Sequence, residues 1–369
     1  MLSSLSIAHF RGIRSLRVER VGHVNLLVGA NNVGKSTVLE ALSLYGAKLN
    51  DVPVSLVELL RRRHDLSRPG VDVLDAARRL FFEGDSDQVI RIGQERPSEA
   101  DLRVATGWQR LSPEDGIALQ SLRGSWREPP PGELRPVLLA DRDGRSSHVS
   151  LNPTPRTGDV SLNAGHPRRA DRRLVRLLDP TLDLGEMNRP WDQVALTDRE
   201  DEVISALRLI EADIERVVLV EDPLVRRDAD AAPSHRLPFV RRRTGPGRAS
   251  QVEPLRSLGD GMGRLFELAL GLVTSADGLF LLDEAENGLH YLVLDDLWRF
   301  VFQLAARMNV QVFATTHSAD CLAAFARAAL ESEQEGAVVR LSREAGDLYS
   351  TVYSESDLEV VAKHRLEIR

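Results

Sequence analysis

Nine residues at 29–37, GANNVGKST, hold the densest concentration of chemistry in the chain. Gly29, Gly34, Lys35 and Ser36 fall at the fixed positions of the phosphate-binding pattern G-x-x-x-x-G-K-[ST]. The spacing matters because the glycines let the backbone curl tightly. Successive N–H groups, those of Asn31 and Asn32 among them, can then turn inward onto phosphate oxygens. Lys35 is placed to reach β- and γ-phosphates, and the Ser36 hydroxyl to ligate Mg²⁺, with Thr37 beside it. The chain has only three lysines, Lys35, Lys48 and Lys363. One of them therefore stands where a compact ammonium is wanted and a planar guanidinium is not equivalent.

Three further groups could act on the same kind of ligand. The apolar run at 278–282 ends in Asp283 and Glu284. Such a strand is expected to run beside the loop-bearing strand, so that Asp283 holds the water shell of Mg²⁺ and Glu284 polarises the attacking water as a general base. The bland alternative is a buried strand with a polar end. The run at 311–316 ends at His317. A lone histidine is usually structural, but this one closes a third strand at the edge where open α/β sheets bind ligands, and there it could sense a γ-phosphate. The stretch SLGDGMG, with Ser257, Gly259 and Gly261, precedes a helix from 264 to 274 and offers a second anion site. On spacing alone an ordinary helix N-cap with a flexible turn is the better account.

These groups need elements to carry them. Residues 24–28 read as a short buried strand and 35–45 as a helix with Val38, Leu39, Leu42 and Tyr45 on one face. Ahead of them, 5–18 alternates as two strands around a turn at Arg11 and Gly12. Residues 52–80 are mostly helical, with Arg61, Arg62 and Arg63 as a solvated face, and 89–92 return to strand. From 93 to 254 the sequence turns rich in Arg, Pro, Gly and Asp, with loop punctuation at 128–132 and 152–155, and reads as an inserted lobe of short strands and turns. Within it, 198–217 predicts a helix, because Val203, Leu207, Ile210, Ile214 and Val217 repeat every four and three residues. Two basic clusters lie there, Arg168, Arg169, Arg172, Arg173 and Arg176, and Arg241, Arg242, Arg243 and Arg248. They read equally as phosphate contacts or as solvated surface.

Composition narrows the classes. A chain of 369 residues, 42% hydrophobic, can build two domains or one with an insertion. The net charge of −7 gives no bulk basic footprint for nucleic acid. The single cysteine, Cys321, excludes a disulfide framework within one chain. No membrane span and no apolar signal core are readable, which leads to the expectation of a cytoplasmic protein.

The order of phosphate loop, Ser/Gly helix start, apolar-Asp-Glu strand and strand-Thr-His-Ser resembles the ABC-type ATPases. Within them, IAHFRGI and GANNVGKSTVLEAL are similar to the branch holding the structural-maintenance-of-chromosomes, double-strand-break repair and OLD-family ATPases. SLGDGMGRLFELAL, LLDEAENGLHY and NVQVFATTHSADCLAAF resemble more closely the stand-alone OLD-like bacterial ATPases, some of them in anti-phage operons. The resemblance implies an α/β fold, a P-loop NTPase with an ABC-type ATPase head and mixed sheet. Residues 1–92 and 255–369 would form the ATPase core and 93–254 an inserted smaller lobe. It implies ATP and Mg²⁺ as cofactors, with Lys35, Ser36 and Thr37 on phosphate and metal and Asp283 on the metal. Glu284 would be the base, His317 the γ-phosphate switch, and Ser257, Gly259 and Gly261 the signature motif. Residues 286–290 would meet the partner protomer of a homodimer or higher homo-oligomer closed by ATP. The signature here is SLGDG rather than LSGGQ, His290 stands where transporters place Asp, and the Q-loop glutamine is not readable, with Gln88 a weak candidate.

The function expected is a dimerising switch ATPase acting in DNA-related or anti-phage defence through a separate effector, a nuclease or toxin, with DNA as a further candidate partner. The competing readings are a self-contained OLD-type nuclease and a transporter-type ATPase subunit. For the nuclease, Glu221, Asp222, Asp228 and Asp230 superficially form a metal centre, but too few residues follow before Pro254 to hold the module. A GTPase is disfavoured because no lysine stands in an N-K-x-D motif.

Overall fold

A computed structural model of the protein describes residues 1–63, 72–110, 121–127, 134–151, 175–178, 187–221, 236–243 and 250–363. The chain divides into two compact units. The first takes Met1–Val21, Gly29–Val175 and Val339–Val352, and the second Gly22–Val28, Arg176–Val338 and Tyr353–Arg369.

In the first unit, Leu5–Phe10 and Ile13–Val18 form the hairpin expected around Arg11 and Gly12, with Phe10 opposite Ile13. Ile13, Leu16 and Val18 are buried and Arg14 and Arg17 exposed, the alternation of a sheet with one face on a core. Leu5–Phe10 pairs next with Ile90–Gly93, which leads on to Leu102–Arg110, Leu134–Arg142 and Arg145–Ser150 in one antiparallel sheet. The strands at 102 and 134 are nine residues each, longer than the short strands expected beyond residue 93. The helix after the phosphate loop runs Lys35–Gly46, with Val38, Leu39 and Leu42 buried as expected and Tyr45 half-buried. Val52–Arg63 and Val73–Arg78 supply the helices foreseen for 52–80, with Arg61 and Arg62 exposed. The chain returns late to this unit as a hairpin, Val339 onward pairing with Asp347–Val352 through a turn at Ala345 and Gly346, both at positive φ.

The second unit is built on parallel strands. Val24–Val28 lies beside Gln311–Thr315, and Gln311–Thr315 beside Leu279–Leu282. Every residue in these three strands is buried, as parallel strands in a layered α/β core require. Asn25, Gln311 and Thr315 are the polar residues inside them; Asn25 shows how such a group is accommodated. Its side chain accepts from the Gly22 N–H at 2.7 Å and donates to the carbonyls of Gly22 and Val312, so it is satisfied. Apolar faces of Asp260–Thr274, Leu294–Met308 and Ala319–Glu331 complete the core, with Phe266, Trp298 and Phe325 among the buried rings. A small antiparallel sheet, Ile214–Glu221, Arg236–Arg243 and Ser250–Pro254, adds Ile214, Val217 and Val240.

Two expectations are corrected. The Asp–Glu strand does not lie beside the loop-bearing strand, because Gln311–Thr315 separates them. The helix expected over 198–217 ends early: it spans Arg199–Leu207, and Ile214 and Val217 sit on the strand Ile214–Glu221. β-Branched residues at 214, 217, 218 and 220 suit a pleated strand, and antiparallel pairing with Arg236–Arg243 overrides the heptad spacing.

Candidate functional site

The phosphate loop lies in the first unit. Gly29 and Gly34 have φ of 143° and 122°, and Asn32 has φ of 59°, so the backbone takes turns that only glycine adopts freely at two of the three positions. At Gly29 a side chain is also excluded by space, since a Cβ would sit 2.4 Å from the Leu341 carbonyl oxygen. Lys35 is buried, and its Nζ donates to the carbonyls of Gly29 at 2.7 Å and Ala30 at 3.1 Å. Asn31 and Asn32 are exposed, and Ser36 and Thr37 half-buried. The helix that follows has no side-chain cap and no acidic residue in its first turn, which leaves its N-terminal N–H groups suited to an anion. Arg343, unremarked in the sequence, holds this loop from the late hairpin. Its guanidinium donates to the carbonyls of Gly346 at 2.7 Å, Gly12 at 3.1 Å and Val33 at 3.3 Å. Gln88 is half-buried just ahead of Ile90–Gly93, with its Oε1 buried and without a hydrogen-bond partner.

In the second unit the parallel strands end together, at Leu282, Thr315 and Val28, and the phosphate loop begins at the residue after Val28. Asp283 and Glu284 follow one strand and His317 another. Thr315 joins them. Its hydroxyl donates to Asp283 Oδ1 at 2.5 Å and accepts the Glu284 N–H at 2.8 Å, while its carbonyl accepts the Ala285 N–H at 2.9 Å. Glu284 is held at φ 51°, a left-handed conformation that a non-glycine residue keeps only when its surroundings enforce it. Its carboxylate stands 3.7 Å from His317 Nε2, and both side chains are partly exposed. The backbone N–H of His317 donates to Glu286 Oε1 at 2.8 Å.

The signature stretch is a short 3₁₀ turn, Leu255–Leu258, then Gly259 at φ 98° and the helix Asp260–Thr274, which begins before the expected residue 264. Ser257 is exposed, and its hydroxyl donates to Glu253 at 2.8 Å and to the Pro254 carbonyl at 2.7 Å. These bonds, with Arg242 at 2.6 Å, hold the Glu253 carboxyl below the usual carboxylate range. Gly261 faces the Gly288 carbonyl closely enough that a Cβ would come within 3.1 Å, so the helix start abuts the stretch 286–290. His290 caps the next turn through its ring, which takes the Leu292 N–H. Arg264, also unremarked in the sequence, is buried, pairs with Glu267 at 3.3 Å and donates to the Asp283 carbonyl at 2.9 Å. It ties the signature helix to the carboxylate strand.

Three arginines of the second basic cluster are engaged: Arg241 and Arg243 with Glu215, and Arg242 with Glu253 and Glu211. Arg248, Arg168, Arg169, Arg172 and Arg173 lie outside the described residues, as do Asp222, Asp228 and Asp230 of the nuclease reading and the proline-rich stretches at 129–131 and 152–155. Glu221 ends the strand Ile214–Glu221. Among the described residues no group of three metal-ligating side chains occurs, and no helix is long and apolar enough to cross a membrane.

Parallel strands that end in a phosphate loop, a carboxylate pair and a histidine make this an α/β P-loop NTPase of the ABC-type ATPase class. The chain belongs to the family described as "AAA domain, putative AbiEii toxin, Type IV TA system", which matches residues 24–322. Among curated proteins it is 30% identical over 209 residues to the DNA replication and repair protein RecF of Caulobacter vibrioides, covering 53% of this chain and 48% of that protein. It is 47% identical over 45 residues to the uncharacterized protein MJECL10 of Methanocaldococcus jannaschii, 12% of this chain and 20% of that one. The chain thus spans about half, or less, of the length of these relatives. Likeness to solved structures is loose. The SMC head bound to the C-terminal winged-helix domain of ScpA is 12% identical at a TM-score of 0.47, with 96% of this chain and 97% of that one covered. The SMC head domain of Thermotoga maritima is 14% identical at 0.44, with 96% and 99% covered.

Proposed function

We propose that the protein binds and hydrolyses ATP with Mg²⁺ and uses the nucleotide to switch between protomer arrangements, in the manner of OLD-like ATPases. The observation that carries this is the group of parallel strand ends at Leu282, Thr315 and Val28, with Asp283 and Glu284 fastened to Thr315 and the phosphate loop starting at Gly29. The donor chemistry fits the ligand. Buried Lys35 already satisfies carbonyl oxygens, the acceptor type that phosphate offers, and the uncapped helix start adds N–H groups. Gly29, Asn31, Asn32, Gly34, Lys35 and Thr37 are proposed to bind the phosphates, and Ser36 and Asp283 to hold the metal. Mg²⁺ supplies charge neutralisation on the phosphate oxygens when bound. Glu284 accepts a proton from the attacking water, and His317 donates to the γ-phosphate. Ser257, Gly259 and Gly261 are proposed to meet ATP held by a second copy.

The ATPase motifs all fall within 1–92 and 255–369, which we take as the functional core, with 93–254 as the inserted lobe. The setting we propose is cytoplasmic and DNA-related or anti-phage, with a separate nuclease or toxin as effector. The RecF relatives support the DNA-related side of this setting, and the family description, "putative AbiEii toxin", supports the toxin side.

Glu284→Gln tests the reading. It should bind ATP with wild-type affinity, hydrolyse it at least about a hundredfold more slowly, and gain mass with ATP and Mg²⁺ in light scattering. Lys35→Ala should fold and lose ATP binding by calorimetry. A Glu284→Gln chain that turns over ATP at the wild-type rate refutes the assignment of the base.

A further inference from the structure

We infer that Glu286 is a positioning residue for His317 within its own protomer, and that the stretch 286–290 does more than face a second copy. Three hydrogen bonds stitch 284–286 to 315–317. The Glu284 N–H reaches the Thr315 hydroxyl at 2.8 Å, and the Ala285 N–H the Thr315 carbonyl at 2.9 Å. The third runs the other way, from the His317 N–H to Glu286 Oε1 at 2.8 Å. The first two fix Thr315 alone, and only the third reaches His317. Its acceptor stands two residues beyond Glu284 and its donor is His317's own N–H, so it joins the two segments whose side chains stand 3.7 Å apart.

The group is kept at a cost. Glu286 Oε2 is buried without a hydrogen-bond partner, an expensive state for a carboxylate oxygen unless its other contacts repay it. Its neighbour is the Cys321 thiol, which stays protonated and bears no charge against it. The thiol is fully buried and pushed up to about 12, first by burial and then by the Glu286 charge. A carboxylate at 286 accepts the N–H of the residue whose ring faces the catalytic base, in a charge-assisted bond.

The inference rests on the ATPase roles proposed for Glu284 and His317, and two kinds of measurement separate its failure from theirs. By hydrogen exchange, the His317 amide should be protected in the wild type and in Glu286→Gln, which keeps the accepting oxygen, and lose protection in Glu286→Ala. By steady-state kinetics, Glu286→Ala should lower kcat about tenfold or more, the size of one charge-assisted hydrogen bond, with KM for ATP unchanged. Glu286→Gln should keep most of kcat, and Glu286→Ala should cost nothing further in a His317→Ala background. An unprotected His317 amide in the wild type overturns the inference whether or not the protein hydrolyses ATP. So does a Glu286→Ala effect that multiplies with His317→Ala, or one confined to the ATP-dependent mass change. A wild type without ATPase activity refutes the proposed function, and the exchange measurement then decides the positioning alone.

Discussion

One hydroxyl, that of Thr315, serves two residues at once: it donates to Asp283 and accepts from the backbone of Glu284. Thr315→Val keeps the shape and removes both bonds, leaving a carboxylate oxygen and an N–H without their partner. The cost is about 1–3 kcal/mol of stability, readable as a lowered Tm. ATP turnover should fall with it while ATP affinity holds, and Thr315→Ser should restore turnover. Wild-type turnover in Thr315→Val would show that Glu284 is positioned by other means. Lys35, Asp283 and Glu284 were legible in the sequence as candidates because covalent spacing defines their motifs. Thr315 was not, because its role exists only once Leu281 stands opposite Phe313 and Leu282 opposite Ala314. A register of that kind is a long-range fact that no local pattern carries.

Strand and helix types followed the local pattern where one signal dominated. The helix expected over 35–45 runs Lys35–Gly46, with Val38, Leu39 and Leu42 buried. The stretch 198–217 carried two signals, heptad spacing and β-branched residues, and pairing with a strand some twenty residues away decided between them. Strand order was illegible for the same reason: nothing local states that Gln311–Thr315 enters between Val24–Val28 and Leu279–Leu282. The late hairpin acts on the site as an element, through Arg343. Its planar fork spans three carbonyls, which a lysine cannot match. Arg343→Ala should weaken ATP binding about tenfold, the size of one or two such bonds, in calorimetry, and Arg343→Lys should recover only part of it. Unchanged affinity in Arg343→Ala would mean the loop keeps its shape unaided.

At the scale of the molecule, charge and pairing bear on what the pure chain does to DNA. Net charge is −7, and Arg241, Arg242 and Arg243 already have acidic partners. Two-metal cleavage needs several carboxylates around ions roughly 4 Å apart, and the described residues hold no group of three metal-ligating side chains. Incubated with ATP, Mg²⁺ or Mn²⁺ and single- or double-stranded DNA, the purified protein should hydrolyse ATP and leave the DNA intact. Cutting that survives further purification and vanishes on substitution of Glu221 and Asp228 would reverse this expectation. The path of the chain has a consequence of another kind. It enters the first unit, leaves at residue 21, returns at 29, and comes back once more at 339. Val33 and the Arg343 that braces it are 310 positions apart. On a ribosome the phosphate loop is made some 310 positions before its brace exists. A nascent or truncated product that stops short of residue 343 carries the nucleotide-binding sequence without the bonds that shape it. ATP affinity in such a product should therefore report whether residue 343 has been reached.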